Sequence, residues 1–137
     1  TSKKECSLRI LADSNIFIKY WKTNEDAIGT VFENQDVVIC GVITAELLHG
    51  ARSEKEIQGI QLILDSFDSL EMDENDWQQV GINLMKLRLK GLNLPFPDVI
   101  IATLGLKYNI PVWTFDQHFV EMKSVFTDLE LYDLSAN

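Results

Sequence analysis

Cysteine and histidine are both scarce in this sequence. Cys6 and Cys40 share no metal-type spacing and suggest no disulfide framework. His49 and His118 are the two histidines, far apart in the chain, and neither a glycine-rich phosphate loop nor a nucleophile motif occurs. Glycine and proline together occupy ten of 137 positions, which excludes a collagen-like repeat or a low-complexity linker. No apolar run approaches the roughly 18 to 20 residues that a membrane span needs. Nor does the N-terminus show the charged, apolar and small-residue regions of a signal peptide. These absences lead to the expectation of a soluble, cytoplasmic protein in a reducing compartment, with no membrane partner. Positive charge is also in short supply, with 12 basic against 21 acidic residues and a net charge of −9. A chain so acidic does not hold nucleic acid by bulk attraction to phosphate, so such a role requires a local basic patch or bound cations. The acidic excess also suits a basic partner.

What is present is a hydrophobic content of 46%, enough for one good core and, at this length, too little chain for two ordinary domains. The whole of 1–137 is therefore expected to be a single domain. Apolar runs at 8–12, 37–40, 69–72, 112–114 and 129–134 read as strands. Helical spacing covers 16–21, 28–32, 44–51, 54–66, 74–90, 97–108 and 117–122, with Gly91 and Asn109 to Pro111 as stop signals. Alternation of this kind predicts an α/β fold: three layers, α/β/α, with a mainly parallel sheet of roughly five strands. Trp113 reads as core, and Trp21 and Trp77 as core or interface.

Four acids stand out. Asp13 directly follows Leu8-Arg9-Ile10-Leu11-Ala12, and Asp116 directly follows Val112-Trp113-Thr114-Phe115. In open α/β sheets the functional crevice lies at the carboxyl ends of the strands, where both acids fall. Each also suits a helix N-cap, and on its own that structural role is sufficient. Glu46, in Thr44-Ala45-Glu46-Leu47-Leu48, and Asp98, in Pro97-Asp98-Val99-Ile100-Ile101-Ala102, read as first-turn residues favoured by the helix dipole. A helix as apolar as 99–106 is largely buried, however, and an ionised carboxylate at its start needs a partner, a solvent-filled cleft or a cation. Four converging carboxylates repel one another unless a divalent cation neutralises them, and hard oxygen donors select Mg²⁺ or Mn²⁺ over zinc. Such ions can activate water and stabilise the leaving oxygen of a phosphodiester.

In order and spacing, three stretches resemble the PIN-domain family, and within it the VapC toxins of toxin–antitoxin pairs. They are Leu11-Ala12-Asp13-Ser14-Asn15-Ile16-Phe17-Ile18, then Thr44-Ala45-Glu46-Leu47-Leu48-His49-Gly50-Ala51, then Asp98-Val99-Ile100-Ile101-Ala102-Thr103 continuing to Thr114-Phe115-Asp116-Gln117-His118-Phe119. The resemblance spans nearly the whole chain. It implies a magnesium-dependent endoribonuclease, with Mn²⁺ able to substitute and metal ligands at Asp13, Glu46, Asp98 and Asp116. It further implies supporting polar groups at Ser14, Asn15 and Thr114, a cognate antitoxin and a homodimer. Ser14 replaces the usual threonine, Phe115 stands where many members have a basic residue, and His118 stands where some carry a further acid. The number of metal ions is therefore left open.

His49, three residues after Glu46, reads as a structural or supporting residue before a substrate contact. Arg52, Lys86, Arg88 and Lys90 read first as solvated helix faces and second as contacts to RNA phosphate. Two other enzyme classes fit poorly. A phosphatase of the haloacid-dehalogenase type would place a second acid where Asn15 stands, and a receiver domain would pair acids just before Asp13. The alternative to an enzyme is a catalytically degenerate PIN domain that binds protein or RNA.

Overall fold

The computed structural model describes residues 8–134; Cys6 lies outside them. The elements run β1 (Arg9–Ala12), α1 (Ser14–Thr23), α2 (Asp26–Asn34), β2 (Asp36–Cys40), α3 (Gly41–His49), α4 (Glu54–Leu64), β3 (Asp68–Leu70), α5 (Glu74–Leu89), α6 (Phe96–Tyr108), β4 (Val112–Trp113) and α7 (His118–Lys123). The strands form one parallel sheet of order β3-β2-β1-β4. In β1, Ile10, Leu11 and Ala12 are all fully buried, and β2 is buried from Val37 to Cys40. Successive strand residues point to opposite faces, so uninterrupted burial means that both faces are covered by helices. The expected three-layer α/β/α arrangement is therefore present.

The sheet has four strands rather than five. The run 129–134 contributes a single parallel bridge, Leu131 against Val112, in which the amide of Val112 donates to Glu130 and that of Tyr132 donates to Val112. Because β4 is itself two residues long, it has no further groups with which to extend a ladder. Packing holds this segment instead, with Leu129 fully buried and the Tyr132 ring edge-on to Trp113.

Several helix ends follow the expected chemistry. Asn24 and Asn109 adopt left-handed conformations that end α1 and α6, and Gly91 at φ 81° follows α5. Asp73 and Asp76 close a reciprocal capping box at the start of α5. Trp113 is core, but Trp21 and Trp77 stand 40% and 45% exposed, so neither is a core residue.

Two contacts pack the later elements against one another. Helices α5 and α6 run antiparallel, joined by a Lys107–Asp76 ion pair at one level and an Asn83–Thr103 hydrogen bond at another. Helix α6 then approaches β4 at Gly105, where a Cβ would stand 2.9 Å from Val112 Cγ2 and 3.1 Å from the Ile110 carbonyl oxygen. That close approach fixes the distance between the helix carrying Asp98 and the strand leading to Asp116. Gly105→Ala is expected to destabilise the protein by about 1–3 kcal/mol through overpacking. Gly81→Ala, in a helix with open space around it, is expected to stabilise by about 0.5–1 kcal/mol through helix propensity. Urea denaturation of the two variants checks the pair, and equal effects would contradict the close approach.

Candidate metal centre

Each of the four acids reaches the site from a different part of the fold. The amide of Asp13 donates to Trp113 at 2.9 Å, which binds the end of β1 to the end of β4. Its carboxylate Oδ1 caps α1 by accepting from Ser14 at 2.7 Å. Capping is thus a genuine role of Asp13, but it occupies one oxygen only. Oδ2 accepts from the Thr114 hydroxyl at 2.7 Å and from the Asn15 amide at 3.3 Å. Thr114 in turn accepts from the Asn15 amide and from the backbone N–H of Asp116. The hydroxyl of Ser14 donates to Glu46 Oε1 at 3.0 Å. Ser14, Asn15 and Thr114 therefore tie Asp13 and Glu46 into one hydrogen-bonded group.

Glu46 stands in the second turn of α3, not the first. The helix begins at Gly41 directly after Cys40, with no intervening loop, and its first turn holds no acid. The helix dipole therefore does not explain this carboxylate. Asp98 does lie in the first turn of α6, and it is 8% exposed. Asp116 does not cap α7 directly; Gln117 takes that position without a side-chain bond, and Asp116 Oδ1 accepts from the His118 amide.

The acids feel one another. Burial raises the pKa of Asp13 from its ordinary 3.8 to about 6, against the hydrogen bonds from Thr114 and Ser14, and repulsion from Asp98 and Glu46 adds to the rise. Burial raises that of Asp98 too, opposed by the hydrogen bond from His118 and reinforced by Asp116 and Glu46. The ring of His118 faces two of the carboxylates, with Nδ1 2.8 Å from Asp98 Oδ2 and 3.1 Å from Asp116 Oδ1. Its pKa is raised, first by the hydrogen bond with Asp98. One ligand atom from each of Asp98, Asp116 and His118 falls within 4.8 Å of the other two. A set of hard carboxylate oxygens, partly buried and mutually repelling, is the donor chemistry that a small divalent cation satisfies.

Sequence reading missed the contact of His118 with the acids and also missed Lys19, whose Nζ lies 4.8 Å above the Phe115 ring beside the site. The His118–Asp98 contact spans 20 positions and Lys19 meets Phe115 from the other end of the chain, separations that no local pattern encodes. His49 is the exposed last residue of α3. Arg52 is not in that helix but in the connection to α4, with its amide near Glu56. Lys86, Arg88 and Lys90 are exposed at the end of α5, with Lys86 beside a cavity of about 590 Å³ that it shares with Asn83 and Lys107. The antiparallel register puts this end of α5 level with the start of α6, where Asp98 lies. None of these five forms an ion pair with the four acids among the described residues. Cys40 is buried with its thiol pKa pushed up by burial, which makes it a poor nucleophile.

Residues 10–125 match the PIN domain family. The chain belongs to it. A similar protein is Ribonuclease VapC1 of Methanocaldococcus jannaschii, 25% identical over 127 residues that span 91% of this chain and 88% of that protein. The fold is shared with VapBC-1 of nontypeable Haemophilus influenzae, at a TM-score of 0.77 and 24% identity over 93% of this chain and 99% of that one. It is shared equally with DNA-bound VapBC of Salmonella typhimurium, at 0.79 and 20% over 93% and 98%. No helix among the described residues of this PIN domain is long and apolar enough to cross a membrane.

The raised pKa of Asp13 has a sign for stability. Between pH 3.8 and about 6 the folded protein holds a proton that the unfolded chain has released, so stability falls across that window as pH rises. Above it the penalty is constant, up to about 3 kcal/mol. Asp13→Asn retains a capping side chain without the charge. Its stability relative to wild type is expected to rise from pH 4 to about pH 6 and then level off, in denaturation curves recorded in EDTA. A variant less stable at every pH, by a constant amount, would show that Asp13 acts as a cap alone.

Proposed function

We propose that this PIN domain is a divalent-metal-dependent endoribonuclease that hydrolyses RNA phosphodiester bonds. The reading is supported most by the electrostatic coupling among Asp13, Glu46, Asp98 and Asp116, which come from four separate stretches of the chain, and by the compact group that Asp98 and Asp116 form with His118. The similarity to a ribonuclease supports the choice of substrate. The four acids would hold Mg²⁺, with Mn²⁺ able to take its place. A cation bound there would polarise the scissile phosphate and lower the pKa of a water nucleophile. The chain's own contribution is positioning: Thr114 and Asn15 fix Asp13, and Ser14 fixes Glu46.

Substrate contact falls to the local basic groups, since bulk charge opposes it. Phe115 offers an exposed ring on which a base can stack, with Lys19 supplying charge beside it. Arg88 and its neighbours Lys86 and Lys90 lie at the end of the molecule that carries Asp98 and suit phosphate contacts; His49 and Arg52 are exposed for the same use.

The protein is further read as the cytoplasmic toxin of a toxin–antitoxin pair and as a homodimer. That reading is supported by its likeness to VapBC assemblies and by an acidic surface suited to a basic inhibitory segment. A monomeric mass at tens of micromolar protein, or failure of any partner to co-purify from its own host, would remove these two assignments and leave the nuclease.

Cleavage of RNA is expected to stop in excess EDTA and to fall at least about a hundredfold in Asp98→Asn, exceeding the usual cost of losing an outer partner of a metal. Mg²⁺ at about 100 times its Kd should stabilise wild type by about 2.7 kcal/mol and Asp98→Asn much less. A gel assay and a thermal melt give the two readouts. Tight RNA or protein binding with no cleavage under any metal would instead mark a catalytically degenerate PIN domain.

A further inference from the structure

We propose that His118 is a nitrogen ligand of the cation held by Asp98 and Asp116, and that it biases this position toward Mn²⁺ and later first-row dications and against Mg²⁺. The inference rests on the metal reading above and goes beyond it by adding a ligand and a metal class. Nδ1 of His118 stands 2.8 Å from Asp98 Oδ2 and 3.1 Å from Asp116 Oδ1. Adjacent ligands of a six-coordinate cation with bonds of 2.0–2.1 Å are about 3 Å apart, the octahedral edge. Both separations match that edge, and the three ligand atoms form one compact group.

The local chain explains why the ring is presented there. Asp116 Oδ1 accepts the His118 amide at 3.0 Å, which tightens the turn into α7 and brings the imidazole to the same side as the carboxylate two residues before it. Helix α7 is anchored beneath by Phe119, fully buried, so the His118 backbone is not free to swing away. His118 is itself only partly exposed, with 39% of its side chain accessible, enough for an entering ion to reach it.

Imidazole nitrogen is a softer donor than carboxylate oxygen. Mg²⁺ takes almost exclusively oxygen and dehydrates reluctantly, whereas Mn²⁺, Fe²⁺, Co²⁺ and Zn²⁺ accept imidazole with affinity rising along the series to Cu²⁺. Replacing one carboxylate by one imidazole also removes a negative charge, which costs more for a cation bound electrostatically than for one bound through nitrogen. A histidine that merely steadied Asp98 by a hydrogen bond would alter neither the atoms bound to the ion nor the ion preferred.

The test uses the full chain free of any histidine tag, titrated with Mn²⁺ and studied by pulsed electron paramagnetic resonance for coupling to ¹⁴N. Wild type is expected to show imidazole nitrogen coupling. His49→Gln should retain it, and since the chain has two histidines this assigns the signal. His118→Asp should lose the coupling yet still bind Mn²⁺, and its preference for Mn²⁺ over Mg²⁺ in competition should fall by about tenfold. His118→Gln, which cannot add a fifth carboxylate, must lose the coupling as well and serves if the aspartate variant is unstable. Mn²⁺ bound by wild type without nitrogen coupling overturns the proposal while the metal reading stands, as does a competition ratio that His118→Asp leaves within twofold. Wild type that binds no Mn²⁺, and is indistinguishable in this from Asp98→Asn, overturns the metal reading and the proposal together.

Discussion

Burying the carboxylate of Asp13 is the constraint around which this structure is arranged. An acid that is 4% exposed loses most of its hydration, and the molecule replaces that water with fixed donors: the Ser14 amide, the Thr114 hydroxyl and the Asn15 amide. These donors come from the start of α1 and the end of β4, so satisfying one carboxylate ties the first strand to the last. The replacement is incomplete, as the raised pKa records. What remains uncompensated is a local cost in stability that the cation proposed above would relieve.

The same logic extends to the rim. Asp98 and Asp116 add charge to a site already short of counter-charge, and His118 stands between them where a further acid would have made repulsion worse. With a net charge of −9 the molecule offers nucleic acid no long-range attraction, so the RNA contact proposed above would have to be short-ranged. The cationic groups that could serve such contact are few: Lys19 lies over Phe115, and a basic turn ends α5, the helix packed against α6.

Much of this was legible in the sequence because the signals were local. Leu8 to Ala12 followed by Asp13, or Val112 and Trp113 followed three residues later by Asp116, announces an acid at the carboxyl end of a buried strand, and both acids lie there. Helix ends marked by Asn109 and Gly91 were legible for the same reason, since left-handed geometry restricts the residue type at that one position. The start of α3 was not. Val42 and Ile43 resume the apolar run of β2 after the single residue Gly41, so periodicity does not show the point at which strand becomes helix, and Glu46 was placed a turn too early. The run 129–134 has strand-like residues, yet whether it pairs depends on how much edge its neighbour offers, and β4 offers two residues.

The sequence by itself therefore determined the class of fold, the carboxyl-end positions of Asp13 and Asp116, and the charge problem that four acids pose. Only the tertiary structure decided which groups answer that problem. The Ser14 bond to Glu46 spans 32 positions, the Thr114 bond to Asp13 spans 101, and the His118 contact with Asp98 spans 20. Contacts at such separations are set by how strands pair and how closely α6 approaches β4 at Gly105, and those distances follow from packing the whole core at once.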